Sequence, residues 1–397
     1  MKKGIEAWLG LWYNCCALKD KKPVLLAKRS CFRGVRAIKI LLLGFSNLRY
    51  MPYARFWLDR LDPKNQDLHL LLWNRGGSPE DCPEGVRVHE FRWPMEDQIP
   101  KYRKLPAFWN YRRYALSLLD RERFDYIAVL HSLPGVLLLD RLLRDYRGRF
   151  FFDYRDVTYE SFPPYRGIIH KLVDASRLTF ISSDGFRRVL PRSEKLHTVH
   201  NLRPVSESYR PGREPGPIRI GFWGCIRHEK LNRRLIAALG SDPRFQLHYY
   251  GPKQAAARNL EDYVNRIGAD NVFFHGPYQP GDQGRFALKT DMLHNLYSNT
   301  ESPSQELAVT NKFYDGLLYG LPQLCFRGSW MGDLAEREAL GLACDPQDPD
   351  FADQVWDYYR SLDREALIRR CRSCLELARQ ENDRGGQILH DAVQNNS

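Results

Sequence analysis

The sequence predicts an α/β protein built from two parallel-sheet domains and closed by helices. Three observations carry this. Short apolar runs that stop at glycine alternate with helical patterns through most of the chain, the pattern of strands buried on both faces and joined by crossovers. The rhythm breaks once, at 201–217, where four prolines and two glycines carry no periodicity, and then restarts. The length of 397 residues is enough for two full cores.

Residues 1–36 precede this rhythm. They hold nine Lys or Arg against two acids, a net +7 of the chain's +12, which leaves +5 for the other 361 residues. The apolar stretch Ala7–Trp12 is broken by Gly10 and ends without a small-residue cleavage site, so it does not read as a secretory leader. Two readings stand for this segment: a basic amphipathic extension at a membrane surface, or a misplaced translation start. The basic balance favours anionic partners.

The first domain is expected over 37–200. Its strands are read at Ala37–Leu43, Leu68–Trp73, Val86–Phe91, Tyr126–Leu130, Arg149–Phe152, Leu178–Ile181 and Leu196–Val199. Helical patterns fall at Tyr53–Leu61, Phe108–Leu119 and Val136–Leu143. After the 201–217 linker, the second domain is expected over 218–350. Strands are read at Ile218–Trp223, Phe245–Tyr250, Val272–His275, Met292–Tyr297 and Pro322–Phe326, and helices at Leu231–Leu239, Ala255–Ile267 and Asn311–Tyr319. Residues 351–397 read as helices packing across both domains.

Composition excludes several classes. Apolar residues are 43% and charged residues 27%, values of a globular chain rather than a disordered or collagen-like one. No run of eighteen apolar residues occurs, so no spanning helix is expected. Nine irregularly spaced cysteines read as free thiols of a reducing compartment, so the expected location is the cytoplasm, with peripheral attachment at the inner face of the membrane. Cys371-x-x-Cys374 has no second pair, and a packed helix face explains it better than zinc.

In parallel sheets ligands bind outside the carboxyl ends of the strands. Gly44 ends the first strand, and Gly224, Gly251 and Gly276 end three strands of the second domain, where a bare backbone lets a ligand approach. Arg227 and Lys230 follow Gly224 just ahead of a helix, a setting suited to a diphosphate. Neither a Walker loop nor a G-x-G-x-x-G fingerprint is present. His131 follows a strand and so faces the expected cleft. Asp153 and Asp156 stand where they would bind acceptor hydroxyls or support the cleft through Arg155. Lys101–Tyr114 mixes five basic residues with five aromatics; it suits anionic headgroups, a lipid-diphosphate acceptor or a helix face lying over the core.

The most informative stretch runs from Asn299 to Pro322. A polar loop carrying Glu306 leads into a helix at Asn311-Lys312-Phe-Tyr314-Asp315, which ends at Gly320 and then Pro322. Thr310 or Asn311 suits its cap. Asp315, one turn inside, suits paired ribose hydroxyls.

This stretch resembles the donor-binding motif of retaining GT-B glycosyltransferases of the family-4 type, known from bacterial surface-polysaccharide pathways. The matching pattern is Asn-Lys-x-Tyr-Asp/Glu-x-Leu-x-x-Gly-x-Pro, met here at Asn311, Lys312, Tyr314, Asp315, Leu317, Gly320 and Pro322. The Gly224 loop with Lys230, Gly251, Asn271-Val-x-Phe-x-Gly276 and Asp153-x-Arg155-Asp156 support it. The resemblance implies two Rossmann-like domains facing a central cleft, the second holding a nucleotide sugar as co-substrate. The first would hold a glycan or a lipid-diphosphate-linked glycan. It implies sugar transfer with no cofactor, no metal and no nucleic-acid partner. Donor binding falls to Gly224, Arg227, Lys230, Gly251, Gly276, Asn311, Lys312 and Asp315, the acceptor side to Gly44, Asp153 and Asp156, and catalysis to His131 and Glu306. The chain departs from the pattern at Asp315, which replaces a glutamate. The partner glutamate falls on Leu307, beside Glu306, and the arginine that precedes the phosphate lysine falls on Cys225. A nucleotide-sugar epimerase of the same fold and a catalytically silent binding protein are the alternatives.

Overall fold

A computed structural model describes residues 37–394 apart from 78, 96–100, 205–206, 210–215, 280 and 298–303. The expectations for 1–36, for 205–206 and 210–215 of the linker and for the start of the 299–322 stretch therefore lie outside the described residues.

The first sheet has seven strands: β1 Ile38–Leu43, β2 Gln66–Asn74, β3 Arg87–Arg92, β4 Tyr126–Leu130, β5 Phe150–Tyr154, β6 Leu178–Ile181 and β7 Leu196–Thr198. All pair in parallel, in the order β3-β2-β1-β4-β5-β6-β7. Alternate residues feed two cores. Leu41, Leu43, Ile127, Val129, Phe150 and Phe152 face one layer, and Ile40, Leu42, Ala128, Leu130 and Phe151 face the other. That is why these strands read as unbroken apolar runs.

The second sheet has six parallel strands: β8 Ile218–Trp223, β9 Phe245–Tyr250, β10 Val272–Gly276, β11 Met292–Asn295, β12 Gln323–Phe326 and β13 Gly341–Cys344. Their order is β10-β9-β8-β11-β12-β13. In both domains the chain runs outward from its first strand, then returns to that strand's other side. The crevice opens at this reversal, beyond β1 and β4 and beyond β8 and β11.

One local reading changes, and two elements had no reading. The pattern at Val136–Leu143 is two helices, Ser132–Leu137 and Leu139–Asp145, separated at Leu138. The helix Pro163–Ala175 opens on two prolines, which suit a first turn. Strand β13 has four residues with no β-branched side chain, too weak a signal to stand out.

The last helix, Arg364–Gln394, ties the domains together. Leu367, Cys371 and Leu375 enter the second core, and Leu389 and Val393 enter the first. Burial raises the Cys371 thiol to about 12 and the Cys374 thiol to about 11, so both are packing residues. Among the described residues no helix is long and apolar enough to cross a membrane.

Replacing Leu389 by Ala is expected to lower unfolding free energy by about 2–5 kcal/mol, and replacing it by Met by less than about 1.5 kcal/mol. Urea titration of both variants checks this; equal losses would show that the site is not close-packed.

Candidate functional site

The carboxyl ends of the second sheet are built on three glycines. Gly224 takes φ 128°, its N–H donates to Tyr250 O at 2.9 Å, and the Gly251 N–H donates to Gly276 O at 2.8 Å. A Cβ on Gly251 would stand 2.0 Å from Gly224 O. Gly251 is thus required by backbone against backbone, Gly224 and Gly276 (φ 81°) by conformation. Together they leave a bare floor beside Lys312.

Lys312 is the second residue of the helix Asn311–Tyr319 and is buried. Its ammonium donates to the Tyr297 hydroxyl and lies 4.1 Å from the Phe222 ring centre. It also stands 3.9 Å from where a Gly224 Cβ would be. The expected cap does not form, because the Thr310 hydroxyl donates to Asn295 Oδ1 at 3.2 Å. Among the described residues no side chain caps this helix, so its first turn keeps amide donors beside the ammonium. Asn311 begins the helix and is exposed. Arg227 is exposed on the loop after β8, whereas Lys230 is already the second residue of the helix Glu229–Leu239, not a residue ahead of it.

Beneath that loop lies a polar network. Asn232 Nδ2 donates to the carbonyls of Arg227 and His228 at 2.8 and 3.0 Å. Its Oδ1 accepts from the Tyr249 hydroxyl and from His294 Nε2, both at 3.0 Å. His228 takes the left-handed φ of 57°, and its ring meets Tyr297 edge-on at 5.4 Å.

Asp315 differs from its expected role. Its side chain is 6% exposed. Oδ1 accepts from Arg203 Nε and Nη2 at 2.9 and 2.5 Å, and Oδ2 accepts from Trp223 Nε1 at 2.7 Å. Burial raises the carboxyl's pKa against the opposing pull of Arg203. Three of the carboxylate's roughly four accepting positions are used by protein donors, so this largely buried group has little capacity left for ribose hydroxyls.

In the first domain His131 ends β4 with φ 95°, a conformation that is costly for a side chain and marks a candidate functional position. Its Nδ1 accepts the Leu133 N–H at 3.2 Å. The neutral ring therefore keeps its proton on Nε2, which points toward Asp156 at 3.7 Å. In this tautomer Nε2 is the ring's hydrogen-bond donor. Asp156 is 56% exposed. Asp153 is fully enclosed and holds Trp57 Nε1 at 2.6 Å and Arg155 Nη2 at 3.0 Å, so it supports the cleft instead of reaching an acceptor. Gly44 likewise has a packing reason, since a Cβ there would lie 2.8 Å from the Met51 methyl and 2.9 Å from Leu71 O.

Glu306 lies on the short helix Ser304–Leu307. Leu307 packs in the first domain's core, and its carbonyl accepts from Ser183 Oγ at 2.6 Å. The neighbouring position is thus committed to interdomain packing, which leaves Glu306 as the carboxylate at this contact. Arg203, Tyr297, His228 and Asn232 were not singled out by sequence. Arg203 sits in an aperiodic linker, and the other three depend on contacts between distant segments. No group of His, Cys, Asp and Glu able to hold a metal ion occurs among the described residues.

Two Rossmann-like domains with their carboxyl ends turned to one crevice, and a helix crossing back over both, constitute the GT-B architecture. Solved structures with this architecture superpose on nearly the whole chain. Sucrose-phosphate synthase from Thermosynechococcus elongatus matches with TM-score 0.68 and 13% identity, over 89% of this chain and 98% of that one. Anabaena HepE in complex with UDP matches with TM-score 0.61 and 14% identity, over 89% and 100%. WaaG, a glycosyltransferase of lipopolysaccharide biosynthesis, matches with TM-score 0.58 and 13% identity, over 88% and 99%. At such identities the likeness is one of fold. No protein-family model matches the chain, and no curated protein matches it in sequence.

Burial lowers the His294 pKa to about 3, far below the usual value near 6.5. The unfolded chain then binds a proton that the folded chain does not between these values. The stabilising effect is complete above about pH 6.5 and is lost as pH falls toward 3, at up to about 1.4 kcal/mol per unit. Urea midpoints for wild type and His294→Gln are expected to converge as pH drops from 7 to 4. A constant gap would contradict the assignment.

Proposed function

We propose that the chain is a glycosyltransferase that moves a sugar from a nucleotide sugar to a glycan or lipid-linked glycan in surface-polysaccharide biosynthesis. The observation that carries this reading is the buried Lys312 ammonium beside the bare Gly224 turn, at the reversal point of the second sheet. A departing nucleoside diphosphate gathers negative charge as the glycosidic bond breaks. An ammonium already stripped of water, with helix-start amides beside it, stabilises that charge more than it stabilises the intact donor. Arg227 and Lys230 add mobile positive charge at the crevice rim.

A uridine nucleotide is the favoured donor class, because the structurally similar HepE has been obtained with UDP and with UDP-glucose. In this reading transfer is metal-independent, cationic side chains meeting the diphosphate, and the anomeric configuration is retained. His131 donates from Nε2 to a hydroxyl of the reacting sugar, and Glu306 approaches the same sugar from the interdomain contact. The acceptor lies against the first domain near Asp156. Tyr102 is exposed beside Arg103 and Trp109 is also exposed, which suits a peripheral contact with an anionic membrane.

Purified protein incubated with a panel of nucleotide sugars is expected to bind one donor and to hydrolyse it slowly, and product analysis without acceptor separates transfer from epimerisation. Silence across the panel by a folded sample would defeat the proposal. Lys312→Met is expected to weaken nucleoside diphosphate binding by about 10–100-fold, the loss of one charge-assisted hydrogen bond. His131→Ala is expected to lower kcat by about 100-fold with nucleotide affinity unchanged, measured by calorimetry alongside turnover.

A further inference from the structure

The network under the loop after β8 is more directional than packing requires. Asn232 is 2% exposed, and its side-chain amide has all four hydrogen-bonding positions filled. Two donors converge on its Oδ1, and a flipped amide would set its NH2 against the His294 Nε2–H and its oxygen against the carbonyls of Arg227 and His228. His294 is oriented equally firmly. Its Nδ1 accepts the Leu296 N–H at 3.1 Å, which leaves the proton on Nε2 for Asn232.

The consequences reach both sides of the crevice. On one side, the oriented Asn232 amide holds the carbonyls of Arg227 and His228, including the residue in left-handed conformation. On the other, the Leu296 N–H held by His294 immediately precedes Tyr297, whose hydroxyl takes the Lys312 ammonium. An apolar side chain at 294 would fill the same space without burying polar atoms, but it would leave the amide free to turn and His228 free to relax.

We propose that His294 is a positioning residue for the donor's diphosphate: from β11 it locks the 225–230 loop through Asn232 and the Tyr297–Lys312 pair through Leu296. This rests on the donor-site reading above. The imidazole touches no substrate; it sets where the loop amides, Arg227 and Lys312 stand before the nucleotide arrives, so its removal acts on nucleotide affinity rather than on the fold alone.

The test is the affinity for whichever of UDP, GDP, ADP and TDP the wild type binds most tightly, read by calorimetry with thermal melts on the same samples. His294→Phe, which keeps a ring and loses both hydrogen bonds, is expected to weaken binding at least tenfold. His294→Gln, whose amide restores a donor toward Asn232, is expected to stay within about fivefold of wild type. Tyr249→Phe removes the other donor to the same oxygen at constant volume; it is expected to weaken binding about threefold, and it decides the matter where His294→Phe does not fold. Wild-type affinity in folded His294→Phe, or in Tyr249→Phe if the former is unfolded, overturns the proposal. Loss in His294→Gln equal to that in His294→Phe also overturns it, because the effect would then follow shape and not the hydrogen bond. A wild type that binds none of the four nucleotides overturns the donor-site reading and takes this proposal with it.

Discussion

Lys312 carries a positive charge into a place where charge is expensive. Its identified partners are a phenol oxygen and the faces of Phe222 and Tyr297, none of which bears a formal negative charge. Buried ammonium groups normally meet a carboxylate or give up their proton. Here ring faces and a hydroxyl line the group, and the Asp315 carboxylate is near enough to interact with it electrostatically. Much of the second domain can be read as arranging this one group. The helix Asn311–Tyr319 delivers it, the three glycines clear the floor beside it, and the loop after β11 supplies the tyrosine that holds it.

The same economy of position explains the interdomain segment. Arg155 holds the Val199 carbonyl and Asn201 from the first domain. The His200 backbone is gripped on both sides by Asn382 of the last helix, and its ring meets the Tyr314 hydroxyl at 2.6 Å. Arg203 then reaches Asp315. The segment from Val199 to Arg203, which leads into the proline-rich run, is therefore fastened in turn to the first domain, the closing helix and the second domain. Asp315 belongs to this fastening as much as to any ligand, and its one-methylene retreat from glutamate fits a carboxylate that grips protein groups.

The strand-and-helix rhythm, the break at 201–217 and the helix Asn311–Tyr319 were readable because each rests on local chemistry. Apolar runs ended by glycine permit little else than buried strands, and a helix stopped by glycine and proline announces its own end. Lys312, Gly224 and His131 were likewise visible, since strand ends in parallel sheets are where ligands sit. The roles of other residues were not. Asp153 and Asp315 both look like exposed site carboxylates on paper, yet Trp57 with Arg155 encloses one and Trp223 with Arg203 the other. Gly44 reads as a ligand glycine and is a packing glycine.

By itself, then, the sequence determined the succession of elements, the two-sheet α/β architecture and the strand-end glycines of the second sheet, because these follow from periodicity and from backbone freedom at single positions. Only the tertiary structure decided which polar groups remain for a ligand and which are consumed by the protein. That outcome depends on hydrogen bonds between residues far apart in the chain, such as Arg203 with Asp315 and Asn232 with His294, and no local pattern encodes which distant partner a buried donor or acceptor will find.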